Sequence, residues 1–407
     1  MASVECDDMN LRQQSLAPVI TCHAGARDNY QLSLAFDEVD LLDSLITDFY
    51  TPDYCRNLFH KRFHENLSSR KTSWKYVDLI NGYVLKRYHQ LGQDLSIRAA
   101  KLAIEHQSNL FVSSYTANSA FNHLLLCNSK IKKYLFQLHP HPDLILKILR
   151  DEVSLGRVSA DDLLYEAELN PLFYPVLANE ALKADQICVA STFTKRSLVL
   201  AGVPKEKIEV IPYGVDHNLF SRTSKKETVG KLKILFCGQF IHRKGIAYLY
   251  EALKRLNSQH YELHIVTRGD CDRKSLAMCA SDLNVRLYSS LSNVALVDLM
   301  HSSDIFILPS LYEGFGHVIL EAMSAGLPVI TTVNTAGYDL ITNGHDGFVG
   351  AIRDSEFLFE KISFFVESRQ ALKEFGQNAA ITAKKYTWNL FRKKIIDFYV
   401  ASESAKV

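Results

Sequence analysis

The apolar run Asp304-Ile305-Phe306-Ile307-Leu308 leads into Pro309-Ser310-Leu311-Tyr312-Glu313-Gly314-Phe315-Gly316, and a helical pattern starts directly after it. Few folds accommodate that order. A short unbroken apolar segment reads as a strand buried on both faces. The following helix stops at Gly326, and Gly326-Leu327-Pro328-Val329-Ile330-Thr331-Thr332 supplies the next strand. Strand, crossover helix and strand define a parallel sheet with helices on its faces. The glycine turn also makes an opening, because amides at a helix N-terminus lack partners and point beyond the strand's C-terminal end. Glu313 stands beside the amides of Gly314, Phe315, Gly316 and His317. Glu321 follows after seven intervening residues and shares a helix face with Val318, Ala322 and Ala325. A carboxylate on an apolar face needs a polar partner. Hydroxyls of a sugar or ribose would supply one; so would a buried backbone group or a Lys.

The same alternation extends through the chain. Leu16-Ala17-Pro18-Val19-Ile20-Thr21-Cys22 reads as a first strand, followed by Gly25 and an amphipathic helix from about Tyr30 to Leu45. Gly25 is either a place where a phosphate or sugar approaches the backbone or a plain turn. Further strands are expected at 109–113, 133–138 and 186–190, and a second set at 232–237, 261–266, 285–288, 305–308 and 329–331. The polar run from Phe220 to Lys231 is the best linker candidate. Two doubly wound sheets joined there would place their strand C-termini at one cleft.

Cys237-Gly238-Gln239-Phe240-Ile241-His242-Arg243-Lys244-Gly245 turns a strand into the helix from Ile246 to Leu256. A glycine turn with two adjacent cations suits a diphosphate, with Lys244 as a point charge and Arg243 as a fork. A solvated basic turn has the same composition. Asp216, in Ile211-Pro212-Tyr213-Gly214-Val215-Asp216, reads as a cap. His139 and His141 flank Pro140 at a strand end, but no carboxylate or third His lies at ligand spacing, so no metal site is assigned. Asp151, Glu152, Asp161, Asp162, Glu166 and Glu168 read as solvated helix faces.

The segment E-G-F-G-x-x-x-x-E-A-M over Glu313–Met323, with Gly326, Pro328, Val329 and Ile330 beyond it, resembles the hallmark of the retaining GT-B glycosyltransferases of glycosyltransferase family 4. Ser324 stands where that family usually has Ala. Gly238 through Lys244-Gly245 resembles its diphosphate element, with Gln239 in place of the usual Arg and Arg243 as the candidate substitute. The resemblance covers about 183–350 strongly and the first 150 residues weakly. It implies a GT-B fold, with residues 1–217 as the acceptor-side domain and 218–387 as the nucleotide-sugar domain. A C-terminal helix, about 388–407, would return to the first domain. It also implies transfer of a sugar from a nucleotide diphosphate sugar to a hydroxyl of a glycan or lipid-linked acceptor, with retention and without a bound metal or other cofactor. By that likeness Glu313, His139 and Lys244 act on the reacting sugar and diphosphate. Gly25, Gly238, Gln239, Arg243, Arg268, Gly314, Phe315, Gly316, His317 and Glu321 bind the donor, with Glu321 on the ribose and Arg268 near the base. A nucleotide-sugar epimerase of the same fold is one alternative. A non-catalytic nucleotide-sugar-binding partner protein is another, and Gln239 is its one supporting feature.

Composition narrows the partners. With 407 residues the chain is long enough for two domains, and 47% hydrophobic with 22% charged residues is ordinary for a globular protein. A formal net charge of +1 gives no long-range pull towards nucleic acid. No run approaches a membrane span, the N-terminal residues lack an apolar leader, and the eight cysteines show no C-x-x-C spacing. A cytoplasmic protein with reduced thiols is the expectation. Residues 55–90 hold eight Lys/Arg against Glu65 and Asp78, with Phe59, Phe63, Trp74 and Tyr76 interleaved. That stretch is either a peripheral contact with anionic membrane on its inner face or a basic solvated face.

Overall fold

The computed structural model describes residues 16–51, 62–67, 71–75, 88–160, 166, 169–221, 230–267, 272–289 and 291–404. These form two parallel α/β units. The first sheet holds β1 (Val19–Cys22), β2 (Leu42–Ile46), β3 (Thr72–Ser73), β4 (Asn109–Ser113), β5 (Lys133–Gln137), β6 (Gln186–Val189) and β7 (Ile208–Val210), ordered β3-β2-β1-β4-β5-β6-β7. The second holds β8 (Leu232–Cys237), β9 (Tyr261–Thr267), β10 (Val285–Ser289), β11 (Ile305–Leu308), β12 (Val329–Thr332) and β13 (Gly347–Gly350), ordered β10-β9-β8-β11-β12-β13. Helices cover both faces, so central strands such as β11 are wholly buried and carry only Ile, Phe and Leu.

One expected element is corrected. The helix foreseen from Tyr30 to Leu45 spans only Gln31–Asp37, and Leu42–Ile46 is β2. Asp40 adopts a left-handed φ of 55°, and the chain then reverses into the sheet, where Val19 N–H donates to Leu41 O at 2.8 Å. The apolar spacing of Val39, Leu41, Leu42 and Leu45 fits either period, and pairing with β1 decides it.

Each sheet reverses its strand order once, between β1 and β4 in the first and between β8 and β11 in the second. Loops at such switch points diverge and leave a crevice. The cations of the 238–245 turn and the Glu313 turn leave the second sheet at its own switch point.

The helix Trp388–Ser404 returns to the first sheet. Tyr399 Oη donates to Ala17 O at 2.5 Å and accepts from Asn109 Nδ2 at 2.9 Å, and its ring meets Phe36 edge-on at 5.3 Å. Where the chain leaves and re-enters, a Cβ on Gly214 would stand 2.3 Å from Trp388 N. Only glycine fits there.

A second tie joins the units. Glu152, on the helix Pro142–Ser154, was read as part of a solvated face, yet it is fully buried. It accepts hydrogen bonds from His242 Nε2 at 2.6 Å, from Tyr248 Oη at 2.9 and 3.0 Å and from Arg353 Nε. Burial works against its charge, but these donors outweigh burial and hold the carboxyl below its ordinary range. All three donors come from the second unit, so the carboxylate is satisfied only when the units touch. Glu166 is likewise no solvated face: it lies 3.3 Å from Arg243 Nε and accepts from Tyr312 Oη at 3.0 Å. Asp151 stays largely exposed, and Asp161, Asp162 and Glu168 lie outside the described residues. So do most of the basic residues of 55–90. Of those described, Arg62 pairs with Asp48 at 3.3 Å and Lys71 with Asp37 at 2.5 Å.

Removing a partner of a buried carboxylate costs more than the bond itself, because the remaining charge is left undercompensated. Arg353→Ala is therefore expected to lower unfolding stability by about 3 kcal/mol in urea titrations. Lys254→Ala, whose partner Asp282 is exposed, is expected to leave the urea midpoint essentially unchanged.

Candidate active site

Two loops meet at the switch point of the second sheet. The turn after β8 closes on Gly245, whose φ of 74° places its Cα against the other loop. A Cβ there would sit 1.9 Å from Pro309 O, so the approach requires glycine. Leu311 N–H then donates to Arg243 O at 2.8 Å, which fixes the two loops together. The result is a buried cluster. Lys244 Nζ donates to Glu313 Oε1, and Ser310 Oγ donates to the same oxygen at 2.7 Å. Arg243 Nη1 stands 3.6 Å from Glu313 Oε2. Lys244 is 9% exposed and Glu313 8%. Burial pushes the Glu313 carboxyl up, but Lys244, Arg243 and Ser310 outweigh it, and the group lies below its ordinary range. A Cβ on Gly238 would lie 3.9 Å from Lys244 Nζ, so this glycine floors the cation's berth. Gln239 Oε1 accepts from Arg243 Nη2 at 3.1 Å, and the guanidinium lies 5.5 Å over the Tyr312 ring. Gln239 thus orients Arg243 towards Glu313.

The turn after Glu313 divides between two tasks. Gly314 presses on the first unit: a Cβ there would meet Leu138 O at 1.9 Å and His139 Cα at 3.3 Å. Its carbonyl accepts from Ser191 Oγ at 2.6 Å and Thr194 Oγ1 at 3.1 Å. Gly314 therefore touches protein backbone where a ligand contact was expected. Gly316 (φ 85°) caps the helix His317–Ser324. Among the described residues, the amides of Gly314, Phe315, Gly316 and His317 donate to no protein acceptor. His317 stacks on Tyr213 at 4.3 Å, and its Nε2 lies 3.5 Å from Asp28 Oδ1 across the cleft. Glu321 is half-buried beside His317 and Val318, while the helix buries Ile319, Leu320, Ala322 and Met323 in the core. It thus lies at the margin of the apolar face. Burial raises its pKa, with His317 opposing.

The first unit contributes the opposite wall. His139 is 5% exposed and stands behind Gly314, with Nδ1 2.8 Å from Pro140 O and its ring 4.8 Å from Tyr115. His141 is structural: Nδ1 accepts from Asp143 N at 3.2 Å, which caps the Pro142–Ser154 helix, and Nε2 lies 3.2 Å from Ala178 O. Gly25 keeps its amide on Asp48 Oδ1 at 2.8 Å, so that amide is committed within the protein. The turn it opens is strained, since Asp28, Asn29 and Tyr30 all have φ between 46° and 63°. Arg268 lies outside the described residues. The structure thus brings together Gly238, Gln239, Arg243, Lys244, Glu313 to His317 and His139. Sequence reading missed Asp28, Glu166, Ser191, Thr194 and Ser310. Ser191 had one legible signal, a Ser-x-x-Thr start after a strand, and it does cap Thr192–Leu200.

Residues 219–382 match the family model of the glycosyl transferases group 1. The capsular polysaccharide biosynthesis glycosyltransferase CapM of Staphylococcus aureus is 26% identical over 231 residues, covering 52% of this chain and 59% of that protein. The N,N'-diacetylbacillosaminyl-diphospho-undecaprenol alpha-1,3-N-acetylgalactosaminyltransferase of Campylobacter jejuni is 24% identical, covering 63% of this chain and 65% of its own length. The matched regions thus span under two-thirds of these relatives. Among solved structures, Anabaena HepE in complex with UDP-glucose superposes with a TM-score of 0.62 at 17% identity, over 94% of this chain and 99% of that one. The two parallel-sheet units are a GT-B fold.

Two measurements check this geometry. Gly314→Ala forces a Cβ into Leu138 O, and the expected loss is about 1–3 kcal/mol, read as a lower thermal midpoint. Because Glu313 titrates below its unfolded value, its contribution is present above about pH 4 and lost as pH falls through the folded pKa. Stability of Glu313→Gln should accordingly decline less steeply than wild type on acidification below about pH 4.

Proposed function

We propose that the protein is a retaining glycosyltransferase that moves a sugar from a nucleotide diphosphate sugar to a hydroxyl of a glycan or lipid-linked acceptor, without a bound metal. The observation that carries this reading is the Lys244–Glu313–Arg243 cluster at the switch point, beside helix N-terminal amides that meet no protein acceptor among the described residues. An ammonium has three N–H donors. With one on Glu313, Lys244 keeps two for a phosphate, and the Arg243 fork supplies further positive charge. The match over 219–382 and the sugar-transferring relatives support the same class.

The difficult step is departure of the diphosphate. The bond from the anomeric carbon to phosphate oxygen breaks and its electron pair stays with the phosphate. Lys244, Arg243 and the amides of Phe315, Gly316 and His317 are placed to stabilise that charge in a water-poor cleft. The acceptor oxygen then bonds to the anomeric carbon on the face the phosphate leaves, and its proton passes to the departing phosphate oxygen. No protein base is assigned. Glu313 orients the sugar, His139 contacts it from the opposite wall, and Glu321 takes ribose hydroxyls. Residues 1–217 form the acceptor side and 218–387 the donor side, and closure aligns the two. The lipid-linked acceptor class follows from the activity named for the Campylobacter relative, and a glycan acceptor from that of the capsular one. Such chemistry would place the protein at the inner membrane face, with 55–90 as its peripheral contact.

A thermal-shift series with UDP-, GDP- and ADP-sugars selects the donor, since ligand at 100-fold its Kd stabilises by about 2.7 kcal/mol. With that donor, Lys244→Ala and Glu313→Ala are each expected to lower kcat by about 100-fold or more in product analysis. Wild-type rates in both would refute the assignment. An epimerised nucleotide sugar as sole product would replace transferase with epimerase.

A further inference from the structure

The tie at Glu152 reaches further than the seam between the units. His242, which donates from Nε2 to Glu152 Oε2 at 2.6 Å, opens the tight turn His242–Lys244 and so stands directly before Arg243 and Lys244. Tyr248, the second donor, lies in the first turn of the helix Ile246–Lys254 that follows. One carboxylate of the first unit therefore grips the chain on both sides of the two cations. Within the turn, Lys244 N–H donates to Ile241 O at 3.0 Å and Gly245 N–H to His242 O at 2.9 Å. Such three-residue turns have poor hydrogen-bond geometry and hold weakly by themselves. Arg353, the third donor, comes to Glu152 from a strained backbone. Its φ is 68°, a left-handed value that side chains rarely adopt, and its Nη2 donates to Ile148 O at 2.7 Å, on the helix that carries Glu152. Strain of this kind persists where the surroundings over-determine it.

We propose that Glu152 is a positioning residue: it holds the His242–Lys244 turn in the geometry that receives the donor diphosphate, so that contact between the units and binding of the nucleotide are coupled. This role rests on the reading of Arg243 and Lys244 as the diphosphate site. Glu152 touches no ligand and acts through His242. When the units part, the carboxylate loses its three donors together and the turn loses its anchor on the first unit. When a diphosphate engages Lys244 and Arg243, it fixes the turn where His242 and Tyr248 reach Glu152. Each event favours the other, by linkage through the same factor. A turn that is set for only a fraction of the time binds with its affinity reduced by that fraction. Two further ties between the units run elsewhere. Thr192 N–H donates to Asp339 Oδ2 at 2.8 Å, and Arg196 Nη2 donates to Asn334 Oδ1 at 2.9 Å, both from the helix Thr192–Leu200 to residues that follow β12.

Glu152→Gln, His242→Ala and the double variant test this role, with Asp339→Asn as a control that weakens the seam at a distance from the turn. The first readout needs no ligand. Amide hydrogen exchange across 241–249 should be about 10-fold faster in either single variant than in wild type, and unchanged in Asp339→Asn. The second readout is the Kd of UDP, GDP or ADP, whichever binds wild type in calorimetric titration. It should rise by about 10-fold in each single variant, a size usual for coupled sites, and no further in the double variant, because both substitutions break one contact. In Asp339→Asn it should stay within about twofold of wild type, which a tie that merely glued the units together would not predict. Should Glu152→Gln fail to fold, His242→Ala, at a side chain already 19% exposed, carries both readouts against the same control. Unchanged exchange, additive losses in the double variant, or an equal loss in Asp339→Asn would overturn the proposal. If exchange quickens as expected while wild type binds none of these nucleotides, Glu152 still sets the turn and the donor reading falls.

Discussion

The close approach of the 238–245 turn to Pro309 governs the rest of the second unit. Gly245 allows the two backbones to touch, and the Leu311 amide closes on Arg243 O at 2.8 Å. With the loops so joined, Lys244 Nζ meets Glu313 Oε1, and Ser310 and Arg243 flank the same carboxylate. A buried carboxylate and ammonium tolerate this only together. The turn carrying Glu313 also presents Gly314 to Leu138, so the charge cluster and the seam between the units are set by the same few residues. A local backbone constraint thereby fixes where two sheets meet.

Four buried or half-buried glutamates show how placement divides one residue type. Glu152 and Glu313 are surrounded by donors, so both are held ionised. Glu180 and Glu321 are also removed from water but lack a close cation, and burial raises both. The acids held ionised bind one part of the structure to another. Burial without such a ring of donors shifts the other two towards neutrality.

Much of this was legible in the chain. The run before Pro309, the glycine turn and the stop at Gly326 yielded β11, the helix His317–Ser324 and β12 within a residue or two, because each is specified by neighbours in sequence. The pairing of Lys244 with Glu313 was not legible, because their loops follow β8 and β11, which only the sheet order makes neighbours. The fate of 42–46 was not legible: its apolar spacing suits two periods, and the left-handed turn at Asp40 carries no glycine to announce it. Glu152 and Glu166 looked like solvent-facing charges because their partners, His242, Arg353, Arg243 and Tyr312, are remote in sequence. Gly25, read as either a ligand approach or a plain turn, gives its amide to Asp48, and the space beside Gly314 is taken by Leu138 O, a neighbour remote in sequence.

The return of Trp388–Ser404 to the first sheet bears on how the molecule comes into being. Tyr399 and Phe398 complete an aromatic cluster with Phe36, Phe111 and Tyr134, residues that leave the ribosome far earlier. Domains generally fold as units in order of synthesis. Here the second unit can close while it is being made, but the first must wait with part of its core uncovered until the last helix emerges. The half that is translated first is finished last, and its exposed rings during that interval are where a nascent-chain chaperone would find its footing.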